Sequence, residues 1–443
     1  MKKSLILLFI FSIIAISCQP DYKSSPSLIN RTDEGIGVLG PIILNFPDLT
    51  QVGSIEKGLR IEPTVGIKFQ WQKTQLNIYP DTFFSFNQEY QIFLEKNALP
   101  QNEKQSQSDY SWNIKTHPEC LVYIGSATKS PEIWKICLDN NLKTQLSMTQ
   151  GKIFDFNISD DGNWIIYSLQ NDLGGTDIWL MDRDGKNNHI LYKCNKDLCW
   201  EPSFSSDGID VTFILSKKNN ENLAEEKNDE ILLMDITSGE ETRLITNKSV
   251  KATFLQWSTD KKYLSFFEGF SSSFWIWNLN TNQITELPSS EGLGGFWKRN
   301  EDRFIFANLN YWGGIPFGQV YQWDEKTASI QHLYGDADEP NEYLSPQWNL
   351  QGDWILVAYR PLDGSASKQL VLVSGDGKQK MIVTNEQLFS YSSFSWSIDG
   401  EMIAFQRIQI GLSGSIPEIG LWRMSDQSNV ILEKNASSPK WIP

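Results

Sequence analysis

Short apolar runs alternate with polar turns along the chain, and from residue 118 onward the alternation becomes a repeat. One unit is a strand ending in a large apolar residue, a Ser/Asp/Gly turn, and two or three further short strands. The end slot of the first strand is filled by Ile158, Phe204, Trp257, Trp297, Trp348, Trp396 and Trp441. Four residues beyond the first six stand Gly162, Gly208, Lys261, Glu301, Gly352 and Gly400. A period of about 40–50 residues with four strands per unit predicts a β-propeller.

Second strands are read at "CLVYIGS" (120–126), "WIIYSL" (164–169), "DVTFILS" (210–216), "YLSFFEG" (263–269), "RFIFANL" (303–309), "WILVAYR" (354–360) and "MIAFQRI" (402–408). Third strands follow each, from "EIWKICL" (132–138) to "EIGLWRM" (418–424), and the fourth are weaker. The segment 118–145 lacks a first strand, while "SSPKWIP" (437–443) is a first strand with nothing after it. The C-terminal strand is therefore expected to complete the first blade, closing the ring without exposed edges. Seven blades are predicted, with six as the alternative count.

"FSWSIDGEMIAFQ" (394–406) and "TDIWLMDRDG" (176–185) resemble the TolB-type propeller repeat, and the resemblance covers 118–443. TolB itself has six blades and an α/β N-terminal domain, so its particular partners do not carry over. Before the repeat, Pro, Gly and Asn turns separate short β-rich runs between Leu28 and His117, which suits a two-sheet sandwich. Pro41–Phe46, Ile61–Pro63, Tyr90–Leu94 and Trp112–Thr116 resemble the recurring phrases of bacterial Ig-like domains, which implies a spacer or adhesion module. The expected fold class is all-β: signal peptide 1–17, tether 18–30, Ig-like β-sandwich 31–117 and propeller 118–443.

Lys2 and Lys3 precede an apolar run from Leu5 to Ile16, the pattern of an export signal and too short for comfortable membrane spanning. "Ala15-Ile16-Ser17-Cys18" resembles a bacterial lipobox, which implies lipidation of Cys18 and a membrane anchor, periplasmic or at the cell surface. Ordinary secretion with cleavage near Ser17 is the alternative. The formal net charge of −15, with no compensating basic stripe, excludes nucleic acid as an expected partner. Of five cysteines, the four beyond Cys18 suit disulfides in an exported chain, paired Cys120–Cys137 and Cys194–Cys199. The rival zinc reading lacks a nearby histidine at ligand spacing.

"SDDGNW" (159–164), "DRDGKN" (182–187) and "GDG" (375–377) superficially suggest a sialidase Asp-box or a calcium loop. Their places between strands make them turns, with Asp supplying side-chain hydrogen bonds and Gly the left-handed backbone. Propellers related to these cap prolyl-peptidase domains, but no G-x-S-x-G elbow is present and "GLSGS" (411–415) does not fit. Three histidines, His117, His189 and His332, give poor support to a triad or a metal site. Glu201, Asp336, Asp338, Glu339 and Glu342 are read in connections between blades and given no catalytic role. No cofactor and no metal are expected.

Turns after strands one and three are tight, whereas connections after strands two and four are longer, varied and emerge on the opposite face. Tyr311, Trp312, Phe317, Tyr359, Arg360, Phe389 and Tyr391 are the binding candidates there. The charged segment 217–229 is read as a mobile loop. The expectation is a monomeric, non-enzymatic, lipid-anchored envelope protein that binds protein, peptide or glycan on the long-loop face. The alternative is a carbohydrate-active enzyme, a glycan hydrolase or lyase, with its site in the funnel.

Overall fold

The structure of the protein, a computed structural model, describes residues 25–29, 35–46, 52–99, 108–126, 130–217, 229–245, 250–289, 292, 294–335, 341–362 and 364–443. Cys18, the signal segment, Asp336, Asp338, Glu339 and most of the 217–229 segment lie outside them, as does the side chain of Trp312. Among the described residues the fold is all-β apart from one helix, Val52–Gly58, and a single 3₁₀ turn.

The first body is a sandwich. Strands Ser27–Leu28, Ile42–Asn45, Gln75–Pro80 and Ile67–Gln72 form one sheet, and Leu59–Glu62, Glu89–Leu94 and Tyr110–Lys115 the other. Ser27 and Leu28, read as tether from the sequence, pair with Asn45 and Leu44 and begin the sandwich. Ile42, Leu44, Leu76 and Ile78 face Ile61, Ile92, Leu94 and Ile114 in one apolar core. The alternation that hides one face of each strand is what the period of two dictates.

The propeller follows as seven four-stranded antiparallel units among the described residues. Their inner strands are Ala436–Ile442, Ile153–Ile158, Leu198–Phe204, Ala252–Trp257, Phe296–Trp297, Asn341–Trp348 and Phe389–Trp396, here blades 1 to 7. In blade 1, Ala436–Ile442 pairs with Cys120–Gly125, so the last strand of the chain completes the first unit. Blades 2 and 3 are joined at their edge by the parallel pair Thr176–Leu198. Cys120–Cys137 bridges two paired residues of blade 1, and Cys194–Cys199 closes the turn before blade 3.

Four tryptophans of the repeat stitch their blade to the one before it by hydrogen bonds. Trp257 Nε1 donates to Thr212 Oγ1 of blade 3 at 3.1 Å, and Trp297 Nε1 to Ser265 Oγ of blade 4 at 2.9 Å. Both hydroxyls occupy the same place on a second strand, opposite the residue preceding the slot. Where that place is aliphatic the indole turns to an inner-strand carbonyl: Trp396 to Gln347 O and Trp441 to Ser395 O. Ile305 fills it before Trp348, whose Nε1 is buried with no hydrogen-bond partner among the described residues. Ser265→Ala leaves the Trp297 N–H in the same condition, with an expected loss of about 1–3 kcal/mol in denaturant unfolding. An unchanged unfolding midpoint would show that the indole is satisfied some other way.

The Ser/Asp/Gly turns are braced by hydrogen bonds within themselves. Ser159 Oγ donates to Asp161 Oδ1 at 2.5 Å and accepts from Trp164 N, and Ser205, Ser258 and Ser397 repeat the arrangement. Asp182 Oδ1 accepts from Asp184 N and Lys186 N in the same spirit. Lys261 holds the glycine position at φ 61°, whereas in blade 5 the left-handed residue is Asn300, one before Glu301.

Candidate functional site: the two faces and the axial chamber

The sandwich sits on the face of the tight turns. Leu350 and Ile398, just past the slots of blades 6 and 7, pack against the sandwich core. Gly37 approaches blade 2 so closely that a Cβ would lie 2.0 Å from Asp161 O, which leaves glycine as the residue that fits. The long-loop face therefore points away from the sandwich.

On that face, buried polar residues at the start of third strands pin the connections. Glu132 accepts from Ser147 Oγ, Thr149 N and Gly151 N; Asp177 accepts from Asn171 Nδ2 and Cys194 N; Asp229 accepts from Ser216 Oγ and Ala252 N. Gln369 Oε1 accepts from Glu386 N. Charge-assisted bonds of this kind fix a loop far better than its own sequence could. The surface so fixed exposes large apolar side chains: Met148, Phe154, Leu173, Phe270, Tyr311, Ile315, Leu388, Leu412 and Ile416. Toward the opposite face the exposed large apolar residues are fewer: Ile209 in a turn, and Leu142, Ile330 and Val430 at the starts of fourth strands.

The sequence candidates divide accordingly. Tyr311 is 68% exposed at the end of a protruding hairpin, Arg303–Trp312 with Ile315–Asp324, which turns at Gly313 and Gly314. Tyr359 and Phe389 are half-buried, and the Arg407 guanidinium lies 4.0 Å over the Phe389 ring. Arg360 pairs with Glu342 at 2.6 Å. Phe317 and Tyr391 are corrections: both are buried, because the strands continue past the expected loop boundaries. Phe317 pairs with Asn310 in the hairpin, and the Tyr391 ring packs on Phe405. His117 lies at the junction, and His189 and His332 on fourth strands.

Sequence reading missed the axis. A chamber of about 650 Å³ runs between the inner strands to the tight-turn face. The residues preceding the slots form a ring in its wall: Asn157, Ser203, Gln256, Phe296, Gln347, Ser395 and Lys440. Two residues past the slots, Asp160, Ser206, Thr259 and Arg299 make a polar arc of the mouth, and Leu350 and Ile398 an apolar one.

Three residues before the slots, register shifts interrupt the inner ladders, and Glu201, Phe254, Ser345, Ser393 and Ser438 take positive φ. Such bulges leave backbone N–H groups unpaired. Asp155 Oδ2 accepts Glu201 N at 2.6 Å, and Glu201 Oε2 accepts the N–H groups of Phe254 and Leu255. Glu201, expected in a connection, thus stands in the inner strand Leu198–Phe204. Burial pushes its carboxyl up to about 7, against the backbone N–H groups that favour the anion. Burial likewise raises Asp155 and lowers the ammonium of Lys440, while each acid pulls Lys440 back upward. Reading three positions back from each slot would have found Asp155 and Glu201.

Closed sheets around an axis, with a sandwich on one face, define an all-β protein built on a β-propeller. No family model matches the chain, and no curated protein matches it. Among solved structures it is similar to TolB from Acinetobacter baumannii, at 15% identity over 87% of this chain and 83% of that one, TM-score 0.43. A prolyl endopeptidase is similar at 13% identity over 80% of this chain, TM-score 0.55, and the match spans 49% of that enzyme. An oligogalacturonate lyase from Vibrio parahaemolyticus follows at 12% identity over 64% of this chain and 73% of that one, TM-score 0.44. At such identities the likeness is one of fold alone.

Proposed function

We propose that the chain is a non-enzymatic binding protein of the cell envelope, anchored by lipid on Cys18, which takes a protein, peptide or glycan partner on its long-loop face. The observation that carries this reading is the uneven surface. Exposed apolar side chains gather on the face of long connections, and buried carboxylates and amides hold those connections rigid. A rigid apolar patch rimmed by polar groups is the usual form of an interaction surface. The sandwich, seated on the other face, serves as the spacer between membrane and patch.

The test is crosslinking in cells from a photoreactive residue placed at position 311, in the chain with Cys18 intact and as Cys18→Ser. A discrete crosslinked species is expected with Cys18 intact, lost with Met148→Asp and Leu388→Asp together, and displaced from the membrane fraction by Cys18→Ser. A crosslink pattern indifferent to the paired Asp substitutions would remove the long-loop face from consideration. The rival, a glycan hydrolase or lyase in the funnel, needs two carboxyl groups presented to a substrate. Asp155 and Glu201 are instead tied to backbone N–H groups of the next blade, which supports the binding reading.

A further inference from the structure

The chamber has one basic side chain in its inner wall, and its setting differs from that of the surface lysines. Lys440 precedes the Trp441 slot on the strand that closes the ring. Its Nζ donates to Phe156 O at 2.7 Å and lies 5.2 Å from the Phe156 ring. Among the described residues it forms no ion pair: Asp155 and Glu201 act on it only at longer range, while Asp155 Oδ2 and Glu201 Oε2 accept backbone N–H groups of the next blade. Asp155 Oδ1 is itself buried without a hydrogen bond.

The chamber wall to which Lys440 belongs is suited to hold a small polar molecule. Gln256 and Gln347 line the chamber, and their side-chain amides make no hydrogen bond to the protein among the described residues. Trp257, Trp297 and Trp348 add apolar wall. The mouth is polar at Thr259 and Arg299, whereas the sandwich packs on Leu350 and Ile398 and approaches Asp161. A cavity of some 650 Å³ is the size of small-molecule sites, and a few convergent polar groups in an apolar wall are their usual composition.

We propose that the axial chamber is a site for small aldehydes or ketones, in which Lys440 is the nucleophile and forms an imine with the ligand carbonyl. The Lys440 lone pair adds to the carbonyl carbon as the C=O π bond breaks, giving a carbinolamine after proton transfer from nitrogen to oxygen through chamber water. Loss of that oxygen as water, carrying both former amine protons, leaves the C=N bond. No oxidant or reductant is consumed. The amides of Gln256 and Gln347 are placed to orient other oxygens of the ligand. Burial supports the assignment, since it favours the neutral amine that an imine requires, and a desolvated lysine is the usual form of such a nucleophile.

The experiment uses the full chain, pyridoxal as the carbonyl probe and cyanoborohydride to trap imines, read by peptide mass mapping at pH 7. Lys440 is expected to label several-fold faster than surface lysines, because burial favours its neutral amine. That preference should vanish in 8 M urea, disappear from the map in Lys440→Arg, and shift along the pH axis in Glu201→Gln, which removes one of the two acids acting on Lys440. An aldehyde-bearing dextran, too large for the chamber, should spare Lys440 while labelling the surface. Labelling of Lys440 no faster than surface lysines in the folded chain would overturn the proposal. So would equal labelling by the dextran aldehyde, which would place Lys440 outside an enclosed site.

Discussion

Removing residues 436–443 is expected to abolish cooperative unfolding of the propeller or to lower its midpoint by at least about 10 °C. The segment supplies the inner strand of blade 1, and its loss would bare Cys120–Gly125 along one side. Trp441 and Ile442 are buried, and truncating such residues costs about 3–5 and 2–5 kcal/mol respectively. That sum approaches the whole stability of an ordinary domain, about 5–15 kcal/mol. The tail is also held by polar contacts: Trp441 Nε1 donates to Ser395 O, and the buried Arg183 donates to both Pro443 O at 2.8 Å and Gly162 O at 3.1 Å. Gly162 is at φ 70°, and a Cβ there would lie 2.2 Å from Pro443 O, so the turn of blade 2 and the C-terminal tail fit each other. Where the truncated chain is insoluble, Trp441→Phe and Trp441→Ala in the full chain keep the question open to measurement. Phe retains most of the burial and should lose little, and Ala should lose several degrees. An unchanged midpoint in the truncated chain or in Trp441→Ala would refute the closing role of this strand.

The ring could be read from the chain because two local rules agree at every repeat. Strand alternation hides one residue in two, and the Ser/Asp/Gly turn needs the same hydroxyl, carboxylate and left-handed residue each time. The unpaired last strand then follows from topology. Alternation alone puts Glu201 in a connection, because a bulge between Trp200 and Ser203 breaks the period of two before the inner strand ends. Phe317 and Tyr391 were misjudged for the opposite reason. The ladders of blades 5 and 7 run on into segments rich in Gly, Ser and Asn, and aromatics that look like loop tips turn into the blade. The chamber depends on residues from all seven units, and no local pattern reports which of them share a level along the axis.

Stability of the chain is expected to fall as pH rises from about 5 to 8, and Glu119→Gln to flatten that fall. Glu119 stands between the last residues of the sandwich and the first strand of the propeller, close to Asp399 in the turn of blade 7. Its Oε1 is buried without a hydrogen bond among the described residues, and burial, followed by the Asp399 charge, pushes the carboxyl up to about 8. The unfolded chain releases this proton near 4.5 and the native chain keeps it until about 8. Between those values the unfolded state binds fewer protons, so stability declines with pH and levels off above the native value. Each unit of difference corresponds to about 1.4 kcal/mol, which makes the loss of order several kcal/mol. Glu201, raised to about 7, adds a second decline over a narrower window from 4.5. Glutamine keeps the shape of the side chain and cannot ionise, so Glu119→Gln should match the parent chain at pH 5 and exceed it by several degrees at pH 8.5. Thermal melts across that range separate the outcomes. If the two chains lose stability in parallel, the Glu119 carboxyl titrates alike in the folded and unfolded chain; a curve flattened in Glu119→Gln places the proton at the contact between sandwich and propeller.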